Sequence, residues 1–215
     1  MDNPKDVLNA VLVVVMVLNL FALGSSRIQT VIRIAAAQGA LLACLPLLLP
    51  EASWPSWVAS GAAILLKGAA IPLIMGRSLR AAKIKKEIEP FVGFFPSVLL
   101  GAGATGAALL LSSHVVLAAA QSGTLIVPSA MATILVGFLI LTTRYKALTQ
   151  VIGYLILENG VYIFGLLLVE ALPLVVEMGV LLDLFVGIFV ISIITNRINE
   201  AFSSMDTRRL ASLKE

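Results

Sequence analysis

Seven long apolar segments follow one another along this chain, and they limit its fold more than any other feature. They lie near Val7–Gly24, Ile28–Leu49, Trp57–Gly76, Phe94–Ser113, Thr124–Thr142, Ala147–Val169 and Leu172–Thr195. A helix that crosses the ~30 Å hydrocarbon core of a bilayer needs about 20 predominantly apolar residues. The segments show no period-two alternation, so they predict helices, which satisfy their own backbone hydrogen bonds in lipid. We therefore predict an all-α, polytopic integral membrane protein with seven transmembrane helices.

The composition agrees with this fold class and excludes several others. Apolar residues make up 60% of the 215 residues and charged residues 13%, whereas globular domains have about 45–50% and about 25%. Little sequence is left for a soluble domain. The net charge of +3 does not predict nucleic-acid binding, because the basic residues flank the apolar segments. The single cysteine, Cys44, excludes a disulfide within the chain and a cysteine-based metal cluster.

The basic residues predict the orientation of the chain in the membrane. If seven segments alternate, thirteen of the lysines and arginines fall on one side: Arg27, Arg33, Arg77, Arg80, Lys83, Lys85, Lys86, Arg144, Lys146, Arg197, Arg208, Arg209 and Lys214. The opposite side receives only Lys5, and Lys67 lies inside a segment. Short cytoplasmic loops carry an excess of Lys and Arg. This distribution predicts that the N-terminus is outside and the C-terminus is in the cytoplasm.

The chain divides into three regions. Residues 1–123 form an N-terminal membrane region of four predicted helices, residues 124–195 a three-helix region, and residues 196–215 a cytoplasmic tail. Within the first region, residues 80–91 (RAAKIKKEIEPF) are charged and carry Ile84 and Ile88 at a spacing of four. This stretch predicts a short amphipathic helix on the cytoplasmic surface, held near anionic lipid or docked on a partner.

Ionisable residues inside the apolar segments are the candidate functional site. Glu158, Asp183 and Lys67 fall near the middle of three different segments, and Glu177 lies closer to the outer end of the last one. A charged side chain at the bilayer centre costs about 2.5–3.5 kcal/mol on insertion scales. Such residues usually face a protein interior and mark proton or ion pathways. We therefore predict a proton relay, although the acids could also form a structural polar clasp and Glu177 could be an interfacial acid.

Several further residues have weaker implications. Gln38 lies within a helix and is explained equally well by a neutral hydrogen bond between helices. Gly101, Gly103 and Gly106 predict close helix packing. Pro72 follows Lys67 by five residues and should loosen its helix there. The chain contains no P-loop, GxGxxG or HExxH motif and no Ser-His-Asp set, so nothing in it argues for chemistry on a bound substrate.

The residues around these acids resemble a known family. The stretches YLILENG, VEMGVLLD and LASLKE near the C-terminus, and AILLKGAAIPLIM around Lys67, are similar to the membrane subunit called hydrogenase-4 component E. The last three segments also resemble the small K subunit of respiratory complex I and the matching subunit of multi-subunit sodium/proton antiporters. Asp183 and Gly187 match the second acid-bearing helix of those subunits. Glu158 lies one turn from the position of the first acid, near Leu155.

The resemblance implies a role in a larger assembly. It implies a subunit of a group 4 nickel–iron hydrogenase or formate-oxidising complex in the prokaryotic cytoplasmic membrane, relaying protons through Glu158, Asp183, Lys67 and Glu177. Its partners would be antiporter-like membrane subunits and the hydrogenase module. The nickel–iron and iron–sulfur centres would lie in those partner chains, with no cofactor in this one. Two alternatives stay open: a cation/proton antiporter subunit without a redox partner, and a structural scaffold subunit.

Overall fold

The computed structural model describes residues 4–45, 54–81, 88, 90–113 and 123–167, and these are mostly helical. The helices are α1 (Pro4–Gly24), α2 (Ile28–Ala43), α3 (Trp54–Ala63), α4 (Ile71–Ala81), α5 (Phe94–Ser112), α6 (Ile126–Thr143) and α7 (Ala147–Gly165). A π-helical segment, Ile64–Ala70, joins α3 directly to α4. The described ranges contain no named strand, and Pro90 and Arg144 form an isolated antiparallel bridge.

These helices coincide with six of the seven apolar segments. Within the described residues, four stretches are long and apolar enough to cross a membrane: Lys5–Gly24, Ser60–Arg77, Phe94–Ser112 and Ile126–Thr143. Helix α2 is apolar but shorter. Helix α7 carries the polar residues Gln150, Glu158 and Asn159 within its apolar sequence. The predicted seventh segment and the tail lie outside the described residues.

Among the described helices, α6 and α7 pack most closely, because glycines let their backbones come into contact. A Cβ atom added to Gly153 would lie 2.7 Å from the Leu141 nitrogen, and one added to Gly160 would lie 2.7 Å from the Ile134 nitrogen. At Gly137 the added atom would collide with the Leu157 backbone. Small residues allow this approach in helix pairs that lack a hydrophobic driving force in lipid. The contact fixes the position of α7 along α6.

We predict that Gly137→Ala destabilises the protein whereas Gly103→Ala does not. A methyl group at Gly137 meets the Leu157 backbone, and overpacking of this kind costs about 1–3 kcal/mol. Gly103, on α5, has no described atom within 4 Å of an added Cβ, so alanine there adds only helix propensity. The melting temperatures of the two variants in detergent, measured beside the unaltered protein, test this. Equal melting temperatures would contradict close α6–α7 packing.

Helix α1 packs against α2, α5 and α6, while α2 also packs against α3, the π-helical segment, α4 and α7. The predicted role of the α5 glycines is confirmed only at Gly101, where an added Cβ would collide with the Leu23 side chain. Gly103 and Gly106 have no such neighbour among the described residues. Close packing at these two positions therefore stays a prediction.

The loops fall at two ends of the bundle. At one end, the Ile88 N–H donates to the Ser26 carbonyl and the Phe91 N–H donates to the Thr143 carbonyl, each at 2.8 Å. We call this the basic end, because the links at residues 25–27 and 144–146 carry Arg27, Arg144 and Lys146. At the opposite end, Asn9 donates to the Gly123 carbonyl and accepts from the Leu125 N–H. Ile88 itself is not helical, so the predicted amphipathic helix does not extend that far.

Candidate functional site

An ion pair lies inside the bundle at the level of the helix centres. The Lys67 Nζ and Glu158 Oε1 atoms are 2.8 Å apart, and the two side chains are 14% and 7% exposed. Glu158 lies about 16 Å along α7 from Ala147 at a rise of ~1.5 Å per residue. Lys67 lies near the middle of the Ser60–Arg77 span. Lys67 and Glu158, which the sequence places at one depth, are therefore in direct contact.

Glu158 is positioned by a rigid helix pair. It lies on α7 between Leu157, whose backbone faces Gly137, and Gly160, which faces the Ile134 nitrogen. Its neighbours Ile156 and Asn159 are buried as well. Because helix backbones in contact cannot slide without steric clashes, the carboxylate has a fixed height relative to α6.

Lys67 is positioned by an irregular helix. It lies in the π-helical segment Ile64–Ala70, just before Pro72, which has no N–H to donate to the preceding turn. Isolated π-helical turns are rare and occur frequently at functional sites. The segment passes close to α2, because a Cβ atom added to Gly39 would lie 2.8 Å from the Lys67 Cβ. Gly39 therefore makes room for the lysine stem as it reaches toward α7.

A third residue and a small cavity complete the site. The Lys67 Nζ lies 5.6 Å from the centroid of the Tyr162 ring, within the range of a cation–π interaction. Tyr162 follows Glu158 by four residues, so both lie on one face of α7. A cavity beside the pair is lined by Lys67, Glu158, Asn159, Pro72 and apolar residues of α2 and α4. The cavity leaves about 20 Å³ in which a water molecule can be centred, so it has room for one water molecule.

A second polar cluster crosses the bundle from α2 to α6. The Gln38 Nε2 donates to the Asn19 Oδ1 at 2.8 Å, and the Asn19 Nδ2 donates to the Thr133 Oγ1 at 2.9 Å. All three residues are fully buried. The expected hydrogen bond of Gln38 between helices is thus confirmed. Asn19 and Thr133 were missed, although Asn19 interrupts an apolar run as clearly as Gln38 does.

Arg144 closes the basic end of the bundle. Its guanidinium donates to the Leu23 carbonyl at 3.0 Å and the Val92 carbonyl at 3.3 Å, and it lies 5.3 Å from the centre of the Phe94 ring. Burial lowers the pKa of this guanidinium below its usual value, but arginine stays protonated in proteins. A cation at the C-terminal carbonyls of α1 is favourable for the helix dipole. Arg144 therefore joins the C-terminal end of α1 to the loop that precedes α5, besides contributing charge to this side.

The remaining predicted site residues, Asp183 and Glu177, lie outside the described residues, and so does most of the 80–91 stretch. Glu158 and Lys67 are brought together, with Tyr162 and Asn159 beside them. Within the described ranges, no three His, Cys, Asp or Glu residues are close enough to hold a metal ion.

The fold and the site define a helical membrane protein with a buried acid–base pair between its helices. The chain belongs to the family of the Mycobacterium tuberculosis (strain ATCC 25618 / H37Rv) protein named "Uncharacterized protein Rv0085". The two are 33% identical over 193 residues, which cover 87% of each chain. A shorter stretch is similar to hydrogenase-4 component E of Escherichia coli K12, with 28% identity over 85 residues. That stretch covers 40% of this chain and 39% of the E. coli protein.

The same 28% similarity over 85 residues is found with hydrogenase-4 component E of Shigella flexneri. No protein-family model matches the chain. No solved structure matches it significantly.

Proposed function

We propose that this protein is a proton-conducting membrane subunit of an energy-converting hydrogenase complex. The single observation that carries the proposal is the Lys67–Glu158 ion pair, 2.8 Å long and buried between apolar helices. Ionisable residues at this depth are expensive to keep, and they mark proton relays and ion pathways in membrane proteins. The partial similarity to hydrogenase-4 component E supports the choice of complex.

In the proposed mechanism, Glu158 takes up and releases a proton. An acid buried in a low-dielectric medium favours its neutral form, whereas an ammonium group nearby favours the charged carboxylate. In this proposal the two opposing effects nearly balance, and a small movement of the lysine selects the protonation state of Glu158. Asn159 and the water-sized cavity lie beside the carboxylate. A water molecule there would be the immediate donor or acceptor of the proton.

Asp183 and Glu177 extend the relay in this proposal. Asp183 falls near the middle of the predicted last helix, at the depth of Glu158, and Glu177 lies nearer the outer surface. Protons would pass laterally between these acids toward antiporter-like subunits. The nickel–iron and iron–sulfur centres belong to partner chains of the hydrogenase module. This assignment of the redox centres to partner chains agrees with a sequence in which we find no catalytic motif.

The proposed topology has seven transmembrane helices with the N-terminus outside. It is supported by the basic end of the bundle, where the links that carry Arg27, Arg144 and Lys146 lie together. With Cys44 replaced by serine, we expect Lys85→Cys to react with an impermeant thiol reagent only after cells are opened. Ser53→Cys should react in intact cells. Labelling of position 85 from outside would overturn the orientation.

Membership of a complex is tested by isolation of the tagged chain from its own membranes in mild detergent. We expect at least one large multi-helix subunit and hydrogenase subunits to co-purify with it. Antiporter-like subunits without redox subunits would favour a cation/proton antiporter. A stable monomer that transports protons alone would contradict the hydrogenase-complex proposal.

A further inference from the structure

We propose that the Tyr162 ring is a second holding position for the Lys67 ammonium group, which moves between Glu158 and Tyr162 as the carboxylate changes protonation state. This inference rests on the proposed proton-conducting function and adds a positioning residue to it. The starting observation is that one ammonium group faces two partners on the same helix. It lies 2.8 Å from the Glu158 carboxylate and 5.6 Å from the centre of the Tyr162 ring.

The geometry of α7 makes the second position reachable. Glu158 and Tyr162 are four residues apart, so they lie on one helix face and differ in height by about 6 Å. The ammonium already lies 5.6 Å from the ring centre, so rotations within the four methylene groups of the lysine side chain are enough to move it from the carboxylate to the ring. Tyr162 lies toward the opposite end of the bundle from Arg144. The movement would run along α7, roughly parallel to the membrane normal.

The surroundings of Lys67 favour a choice between these two partners. The π-helical segment has lost the regular α-helical hydrogen-bond pattern where Lys67 projects. The cavity walls contributed by α2 and α4 are apolar, formed by Ile32, Ala35, Ala36, Ile71, Pro72 and Met75. Of the residues that line this cavity, Lys67 and Glu158 are the titratable ones, and the Tyr162 ring faces the Lys67 ammonium group. An aromatic face attracts a desolvated cation through its quadrupole, so the ring stabilises an ammonium that leaves the carboxylate.

The proton balance of the step is simple. When the ammonium withdraws toward the ring, the carboxylate loses its counter-charge and accepts a proton from a hydronium ion in the adjacent cavity. One O–H bond breaks on the hydronium, which becomes water, and one O–H bond forms on Glu158. Lys67 keeps its three N–H bonds throughout. The reverse movement breaks the O–H bond on Glu158 and transfers the proton to a water molecule, so each cycle of the lysine takes up and releases one proton at Glu158.

The test compares Tyr162→Phe, Tyr162→Leu and Tyr162→Met in the assembled complex, with Phe164→Leu as a control on the same helix. Phenylalanine keeps an aromatic face, while leucine and methionine remove it. We expect Tyr162→Phe to retain at least half of the proton-uptake rate in membrane vesicles. Tyr162→Leu and Tyr162→Met should lower it at least fivefold. Phe164, which is exposed, should tolerate leucine without loss of rate.

A spectroscopic readout separates positioning from a structural role. The infrared carbonyl band of protonated Glu158 is identified by its loss in Glu158→Gln. We expect this band to fall by at least half in Tyr162→Leu and Tyr162→Met, because the ammonium then stays at the carboxylate. Measurement on the detergent-extracted chain keeps this test valid if a variant assembles poorly. An unchanged band in both variants, or a Tyr162→Phe rate as low as that of Tyr162→Leu, would overturn the proposal.

The outcome is distinguishable from failure of the proposed function itself. If Glu158→Gln transports protons normally, the relay is wrong whatever Tyr162 does. If Glu158→Gln blocks transport but Tyr162→Leu and Tyr162→Met transport at the rate of the unaltered complex, only the second holding position is wrong.

Discussion

Lys67→Met and Glu158→Gln are each expected to lower the free energy of unfolding by about 3 kcal/mol. The double variant is expected to lose no more than half of what either single variant loses. Each single variant leaves one member of a buried pair without its opposite charge. Breaking such a pair is costly, whereas replacing both members together is often nearly neutral. At about 2–4 °C per kcal/mol for a chain of this size, each single variant should melt about 6–12 °C lower.

The measurement is the thermal denaturation of the detergent-extracted protein for all four combinations. Asp6→Asn is the matched control, because Asp6 is an exposed acid in the first turn of α1 and its loss should change the melting temperature little. Strictly additive effects of the two substitutions would show that Lys67 and Glu158 do not interact energetically, and would contradict the ion pair.

Proton translocation is expected to fall at least tenfold in Glu158→Gln, even when the complex is fully assembled. Glutamine keeps the shape of the side chain and its ability to hydrogen-bond, but it has no proton that titrates. Lys67→Met should also impair translocation, because the carboxylate then lacks the counter-charge that favours its ionised form. One variant removes the carboxylate that titrates and the other removes its counter-charge, so both should translocate protons more slowly.

The translocation assay uses membrane vesicles in which the amount of each subunit is measured alongside proton uptake. Rates are compared per assembled complex, which separates lost transport from lost protein. Asp6→Asn should translocate at the rate of the unaltered complex. Loss of transport in that control to the same extent would mean that the assay reports on any change of acid in the chain.

The contact between Lys67 and Glu158 could be predicted in outline from the sequence. Counting residues from the helix ends places both side chains at one depth, because the rise per residue of a helix is fixed. The apolar lengths also predicted the described helices to within a few residues. Counting residues does not predict the rotation of each helix about its axis, because that rotation depends on packing between helices far apart in sequence.

Other parts of the site depended on that packing. Nothing in the sequence marks Tyr162 as a site residue, because only the ion pair shows which face of α7 is turned to Lys67. Asn19 could have been predicted to lie in a buried polar cluster, since an amide inside an apolar run needs a hydrogen-bond partner. The identity of that partner, Thr133, could not, because it lies 114 positions away in the sequence. Arg144 was interpreted only as a charge that marks orientation. Its burial against the Leu23 carbonyl depends on loop contacts that no local pattern records.

The most direct test of the central claim is proton uptake by vesicles that carry the Lys67→Met/Glu158→Gln double variant, at matched subunit content. This variant removes both charges, so no buried charge is left without its partner to destabilise the protein. If Glu158 carries protons, uptake should stay at least tenfold below that of the unaltered complex even though stability recovers. Uptake at the rate of the unaltered complex would contradict the account, because it would show that the pair only holds helices together.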